Sequence, residues 1–193
     1  MNVTFLVRLV LLLYTTPYPS PPRPPPPPIP RFVDTRLSYP DFGAMKADPA
    51  SIASQRFGSV PLLQDGDFLL AQSVACASYA ASLGVSSECT PKQRAVDSQY
   101  MGVHVDVQAA MYKCLFGDDA SKAAGVEALP ASAAKFLASV EAMLPADGFI
   151  NGLGGPTLAD LALFDIVTSP FPGLRAQGVE ISDATYPKVQ KSV

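Results

Sequence analysis

The segment FGSVPLLQDGDFLLAQS, from Phe57 to Ser73, spaces three backbone devices suited to a small peptide-like anion. Val60 precedes Pro61, so its backbone is driven toward an extended conformation, while Pro61 lacks a donor and is the residue type that admits a cis bond. An extended residue held at a bend can offer its N–H and C=O to a strand-like ligand. Asp65-Gly66 is a hairpin turn signal, with Phe68 to Leu70 as the returning apolar strand. Gln72 and Ser73 then open a run rich in alanine and serine, Val74 to Leu83. There a hydroxyl can cap the free N–H groups of a helix start, and those groups can receive a carboxylate.

An extended residue before proline, then a D-G turn, then Gln-Ser at a helix start resembles the second half of the thioredoxin-like domain of glutathione transferases, and is similar to the sigma class. The resemblance implies that the main chain of Val60 pairs with the cysteine of glutathione, that Pro61 is the family's cis proline, and that Gln72 and Ser73 hold the γ-glutamyl end. Upstream, FVDTRLSYPDFGAMK from Phe32 to Lys46 resembles the family's second strand and the short helix after it. That puts Lys46 where a cation meets the glycyl carboxylate, and Phe42 where the family usually has tryptophan or tyrosine. Phe42 keeps an apolar wall but loses a ring donor, so weaker orientation of the tripeptide is expected. Ser59 stands where lysine or glutamine is frequent.

The second half of the chain must supply a helical body. Thr90-Pro91 reads as a cap with proline at the first helical position, and Val96, Tyr100, Val103, Val107, Ala110 and Cys114 recur at helical spacing. A second helix is expected from Ser132 to Leu144, with Phe136, Leu137, Val140 and Leu144 on one side and Pro145 and Asp147-Gly148 as its stop. After the glycine-rich loop Asn151 to Pro156, Thr157 and Asp160 form a capping box for the apolar helix Leu161 to Val167. In the family a box of this kind opens the buried core helix of the C-terminal domain, which makes Thr157 and Asp160 structural caps.

Composition bounds the rest. The chain has 193 residues, 48% of them apolar, and a formal net charge of −3. It is long enough to bury a sizeable core, and it has no basic cluster of the kind that binds nucleic acid. Cys76, Cys89 and Cys114 are widely separated and lack C-x-x-C spacing, so neither a disulfide framework nor a metal site is expected, and a reducing, cytoplasmic setting fits. His104 is the chain's one histidine. It lies near the apolar stripe of the long helix and is read as structural, because nothing in the sequence identifies a partner for it. Asp97 and Asp106 flank it and are expected to be solvated or at an interface.

The first thirty residues differ from the rest. Met1 to Tyr14 is apolar but for Arg8, and Pro17 to Pro30 holds half of the chain's 20 prolines. No helix can run through Pro21 to Pro30, where donors are missing and rings clash with preceding carbonyls, so polyproline II is expected. Three explanations stand: a first strand over Phe5 to Tyr14 that brings Tyr14 or Tyr18 to the pocket, a signal peptide, or a non-native extension from a mis-assembled reading frame. Arg8 and the absence of an A-x-A site weigh against the second. The run is also far shorter than the ~20 residues a bilayer needs. Tyr186-Pro187-Lys188-Val189 resembles the start of the family's last regular helix, and the carboxyl terminus looks truncated by that comparison.

The expected architecture is α/β plus all-α. Residues 1–31 are an atypical segment expected to be disordered, 32–83 an incomplete thioredoxin-like glutathione-binding domain, and 84–193 an all-helical glutathione transferase C-terminal domain. By resemblance the protein is a homodimeric detoxifying transferase that joins glutathione thiolate to apolar electrophiles or isomerises a lipid peroxide-derived substrate. Glutathione is then its co-substrate, and it needs no cofactor, metal, nucleic acid or membrane. The alternative is a catalytically silent glutathione-binding or dimerisation module. Tyr14 is the candidate for the catalytic hydroxyl.

Overall fold

The structure, a computed structural model, describes residues 33–169 and 173–193, so Tyr14, Tyr18 and every expectation placed on the first 32 residues lie outside the described residues. The chain divides into two compact units, Met1–Ser87 and Glu88–Val193.

In the first unit, residues 33–38 form no strand, against the reading of Phe32 onward as the family's second strand. A strand needs a neighbour for its N–H and C=O groups, and among the described residues none pairs with it; the segment is largely exposed. Helix α1 (Tyr39–Ala47) starts at Ser38, whose side chain accepts from the N–H of Asp41 at 3.2 Å, and carries proline in its first turn. Turns follow, tied back to α1 by Ser54 Oγ, which donates to the Lys46 carbonyl at 2.9 Å. Strands β1 (Leu62–Asp65) and β2 (Phe68–Ala71) make an antiparallel hairpin in which Leu62 faces Ala71 and Asp65 faces Phe68. The turn therefore sits one residue later than Asp65-Gly66. Its two loop residues are Gly66 and Asp67, and the positive φ of Gly66 (57°) at the first loop position is the glycine-demanding II′ pattern.

Helix α2 (Ser73–Ser82) packs on both strands. Its buried face is Cys76, Ala77, Ala80 and Ala81, small side chains that bring the helix axis close to the thin hairpin. Burial raises the Cys76 thiol pKa, against hydrogen bonds with its own backbone and that of Leu63 that lower it.

The second unit is helical. Helix α3 (Pro91–Lys113) begins with a reciprocal box: the Thr90 N–H donates to Gln93 Oε1 at 2.9 Å, and the Gln93 N–H to Thr90 Oγ1 at 3.3 Å. Its buried stripe runs through Asp97, Tyr100, Met101, His104, Val107 and Met111. The stripe expected from apolar spacing is thus rotated, with Val96, Val103 and Ala110 at its margin and Asp97 and His104 inside it. Asp106 is exposed.

Helix α4 (Asp119–Met143) starts well before Ser132, because Asp118 caps it by accepting from the Ser121 N–H at 2.8 Å. Hydrogen bonding to Ser121 holds the Asp118 carboxyl below its ordinary range. Pro130 lies inside this helix. Leu137, Val140 and Leu144 are buried as expected, while Phe136 is half-buried. Gly125 permits a close crossing with α3: a Cβ there would meet the Lys113 backbone at 2.7 Å.

Helix α5 (Leu158–Thr168) is apolar nearly all round, the signature of a central helix, and packs against α3. Leu158, Leu161, Leu163, Ile166 and Val167 are all buried. At about 1.5–3 kcal/mol for each such side chain, α5 anchors the unit. The short helix α6 (Pro187–Lys191), which the Tyr186-Pro187 pair foretold, is held by a distant residue. The Glu141 carboxylate accepts from the N–H groups of Lys188 (3.0 Å) and Val189 (2.9 Å), so α4 caps it.

Candidate functional site

The hairpin register sets the geometry of the first unit. Leu62 pairs with Ala71 at the open end of the hairpin, so the chain enters it through Val60-Pro61 beside the point where it leaves through Gln72 and Ser73. The Val60–Pro61 peptide bond is cis, as the sequence allowed. Among the described residues, neither the N–H nor the C=O of Val60 bonds to another backbone group. Val60 is half-buried and Pro61 buried, so the main chain just before the hairpin is anchored on one side and open on the other.

Across from it stands the mouth of α2. Gln72 is the N-cap residue, with φ 75° and ψ 125°, and makes no side-chain cap hydrogen bond. This corrects the expected role of a hydroxyl at this helix start: Ser73 is already the first helical residue and does not cap it. The first intrahelical bond is donated by Cys76 to the Gln72 carbonyl at 3.0 Å, which leaves the N–H groups of the first turn turned outward. A side-chain-bearing residue at positive φ is strained by about 1–3 kcal/mol and persists where its surroundings over-determine it. Here the cause is placement, since Gln72 joins the end of β2 to the start of α2 with no spare residue between them.

Lys46 and Phe42 lie one turn apart on α1. The Lys46 stem runs over Gly58, where a Cβ would sit 3.6 Å from Lys46 Cε, so the cation lies beside the chain leading into Val60. Lys46 forms no ion pair among the described residues. Phe42 is half-buried. The unit thus brings together a residue without a backbone partner among the described residues, an uncapped helix mouth and a lysine. One grip was not foreseen: Tyr79 Oη donates to Asp65 Oδ2 at 2.6 Å, and its ring lies 5.2 Å from that of Phe68. No local pattern announces this pair, because its members are fourteen residues apart on different elements.

The second unit carries two buried polar centres. Asp97, only 4% exposed, is not a solvated carboxylate. Its Oδ1 accepts from Thr157 Oγ1 (2.8 Å), Asn151 Nδ2 (2.9 Å) and the Ala159 N–H (3.0 Å). The Thr157–Asp160 box forms as expected, with Asp160 Oδ2 accepting from the Thr157 N–H at 2.8 Å and Oδ1 from the Ile150 N–H at 2.8 Å. Burial raises the Asp160 pKa, and those hydrogen bonds oppose the rise. His104 is structural, as read from the sequence, and its partner is Asp165, with 2.7 Å between Nε2 and Oδ2. Both are buried, which rules out an accessible nucleophile–base arrangement. Among the described residues no group of three or more His, Cys, Asp or Glu side chains could hold a metal ion, and no helix is long and apolar enough to cross a membrane.

No family model matches the chain. It is 30% identical over 160 residues to a Dictyostelium discoideum protein provisionally named glutathione S-transferase alpha-2, covering 79% of this chain and 73% of that one. Among solved structures it is similar to a glutathione S-transferase from Xylella fastidiosa, with a TM-score of 0.55 and 23% identity, over 79% of this chain and 82% of the other. The second likeness supports the fold: a partial thioredoxin-like domain with a two-stranded sheet, then an all-helical domain. At the identity and coverage of the first, the chain belongs to the glutathione S-transferase family.

Proposed function

We propose that the first unit binds glutathione and presents its thiol for transfer to an apolar electrophile. One observation carries this reading: Val60, ahead of a cis proline and without a backbone partner among the described residues, enters the hairpin at the same end at which the uncapped start of α2, at Gln72 and Ser73, leaves it. Glutathione offers a cysteinyl N–H and C=O, which pair with Val60 as a short antiparallel strand does. Its γ-glutamyl carboxylate suits the Ser73 hydroxyl and first-turn N–H groups, with Gln72 beside them, and its glycyl carboxylate suits the Lys46 ammonium. Phe42 supplies an apolar wall, and Pro61 keeps the bend.

Thiolate is the nucleophile in such chemistry, so a hydroxyl aimed at the bound sulfur would lower its pKa toward neutrality. Tyr14 is the residue we assign that task. We read the chain as sigma-like, cytoplasmic and homodimeric, acting in detoxification by conjugation or by isomerising a lipid peroxide-derived substrate. Its three free, buried cysteines are in keeping with a reducing compartment.

Calorimetric titration with reduced glutathione tests the binding step. Ser73→Ala removes one hydrogen bond to a carboxylate and is expected to weaken binding about tenfold, or about 1.4 kcal/mol. An unchanged isotherm would remove Ser73 from the site. Turnover of a chromogenic electrophile by wild type and by Tyr14→Phe separates an enzyme from a silent binding module: retention on a glutathione matrix without turnover favours the module.

A further inference from the structure

The hairpin that separates the two halves of the site is only four residues long on each side, and a two-stranded hairpin of that size is marginal by itself. Its closing pair is Asp65 with Phe68. Tyr79 touches both: its hydroxyl donates to Asp65 at 2.6 Å, and its ring lies 5.2 Å from that of Phe68, tilted by 59°. Tyr79 belongs to α2, the same helix whose first turn follows directly on the strand that Leu62 pairs with. The hairpin is therefore fastened to α2 at two ends, covalently through Gln72 and by this clasp, with the small side chains of the helix packed on the strands between them.

We propose that Tyr79 is a positioning residue for the tripeptide site, fixing the angle at which the Val60–Pro61 segment faces Gln72 and Ser73. The proposal rests on the glutathione reading above. Without the clasp, the turn end of the hairpin is held only by the small side chains of α2 packed on its strands, and it can tilt about the joint at Gln72, whose backbone already sits at φ 75°. A pivot there moves Val60 and Ser73 relative to each other, and a ligand that spans both feels the change. Hydrogen bonding to Asp65 raises the Tyr79 pKa above its ordinary value of 10.0, so the phenol remains a donor across the assay range.

The test is a double-mutant cycle on the full chain, with reduced glutathione as the probe and calorimetry as the readout. Tyr79→Phe keeps the ring on Phe68 and removes the donor; it is expected to raise the glutathione Kd about three- to tenfold with little change in Tm. Asp65→Ala should weaken binding by the same factor, and the double variant no further. Asp65→Asn, which keeps an acceptor oxygen, should restore affinity to within about twofold of wild type. Wild-type affinity in Tyr79→Phe, or effects that multiply in the double variant, would overturn the clasp while leaving the tripeptide site standing. Absence of binding by wild type would instead bring down the site, and the positioning role with it.

Discussion

Replacing His104 by leucine is expected to cost about 3–5 kcal/mol, the loss seen when one member of a buried hydrogen-bonded pair is removed. His104 and Asp165 bridge α3 and α5 at 2.7 Å, and neither is more than 4% exposed. Asp165 Oδ1 already has no hydrogen-bond partner among the described residues, so removing the imidazole leaves the carboxyl without the partner of its other oxygen in the most apolar part of the unit. A marginally stable domain has only about 5–15 kcal/mol in total, so this single change would consume about a fifth of it or more. The converse substitution separates pairing from packing. With Asp165→Leu added to His104→Leu, both polar groups are gone and most of the stability should return. Urea unfolding of the four members of the cycle measures it, and strictly additive losses would show that the pair is not coupled.

Removal of the Asp97 carboxylate should be nearly as damaging. Asp97→Ala leaves the Thr157 hydroxyl, the Asn151 amide and the Ala159 N–H without their common acceptor, each at about 1–3 kcal/mol, with some relaxation between them. We expect a loss of about 3–5 kcal/mol, which for a chain of this size lowers Tm by about 6–20 °C. All three donors converge on one oxygen, so Asp97→Asn can keep them and should cost only about 1 kcal/mol, the difference between a charged and a neutral acceptor. Calorimetric melting of the two variants decides the matter; equal losses would mean that charge, and not acceptor geometry, holds this centre. The centre joins α3, the 151–156 loop and the start of α5, so its loss should also open the Thr157–Asp160 box that it braces.

What could be read from the sequence was what is local. The Thr90 cap and the Thr157–Asp160 box were legible because their signals lie within three residues and need no knowledge of the fold. The cis Val60–Pro61 bond and the hairpin were legible because proline and glycine constrain their own backbones. Errors came where distant contacts overrule a local preference. The face of α3 was misjudged because Asp97 looks solvent-seeking and His104 has no visible partner until Thr157 and Asp165, about sixty residues on, are brought to them. The early start of α4 was missed because the apolar stripe that was read begins only at Phe136, whereas the Asp118 cap starts the helix well before it and the helix runs on through Pro130. The strand expected after Phe32 needed a neighbour that no described residue provides. The positive φ of Gln72 had no signal, because glutamine is not a residue chosen for that conformation.

The distribution of the three cysteines gives the chain a built-in reporter. Cys76 is sealed in the first unit, Cys89 and Cys114 in the second, and none is more than 8% exposed. An alkylating reagent can modify them only when their surroundings come apart, so the rate at which each thiol gains mass records how often that part opens. Pulsed alkylation followed by peptide mass spectrometry would then rank the two halves by opening frequency without any engineered label.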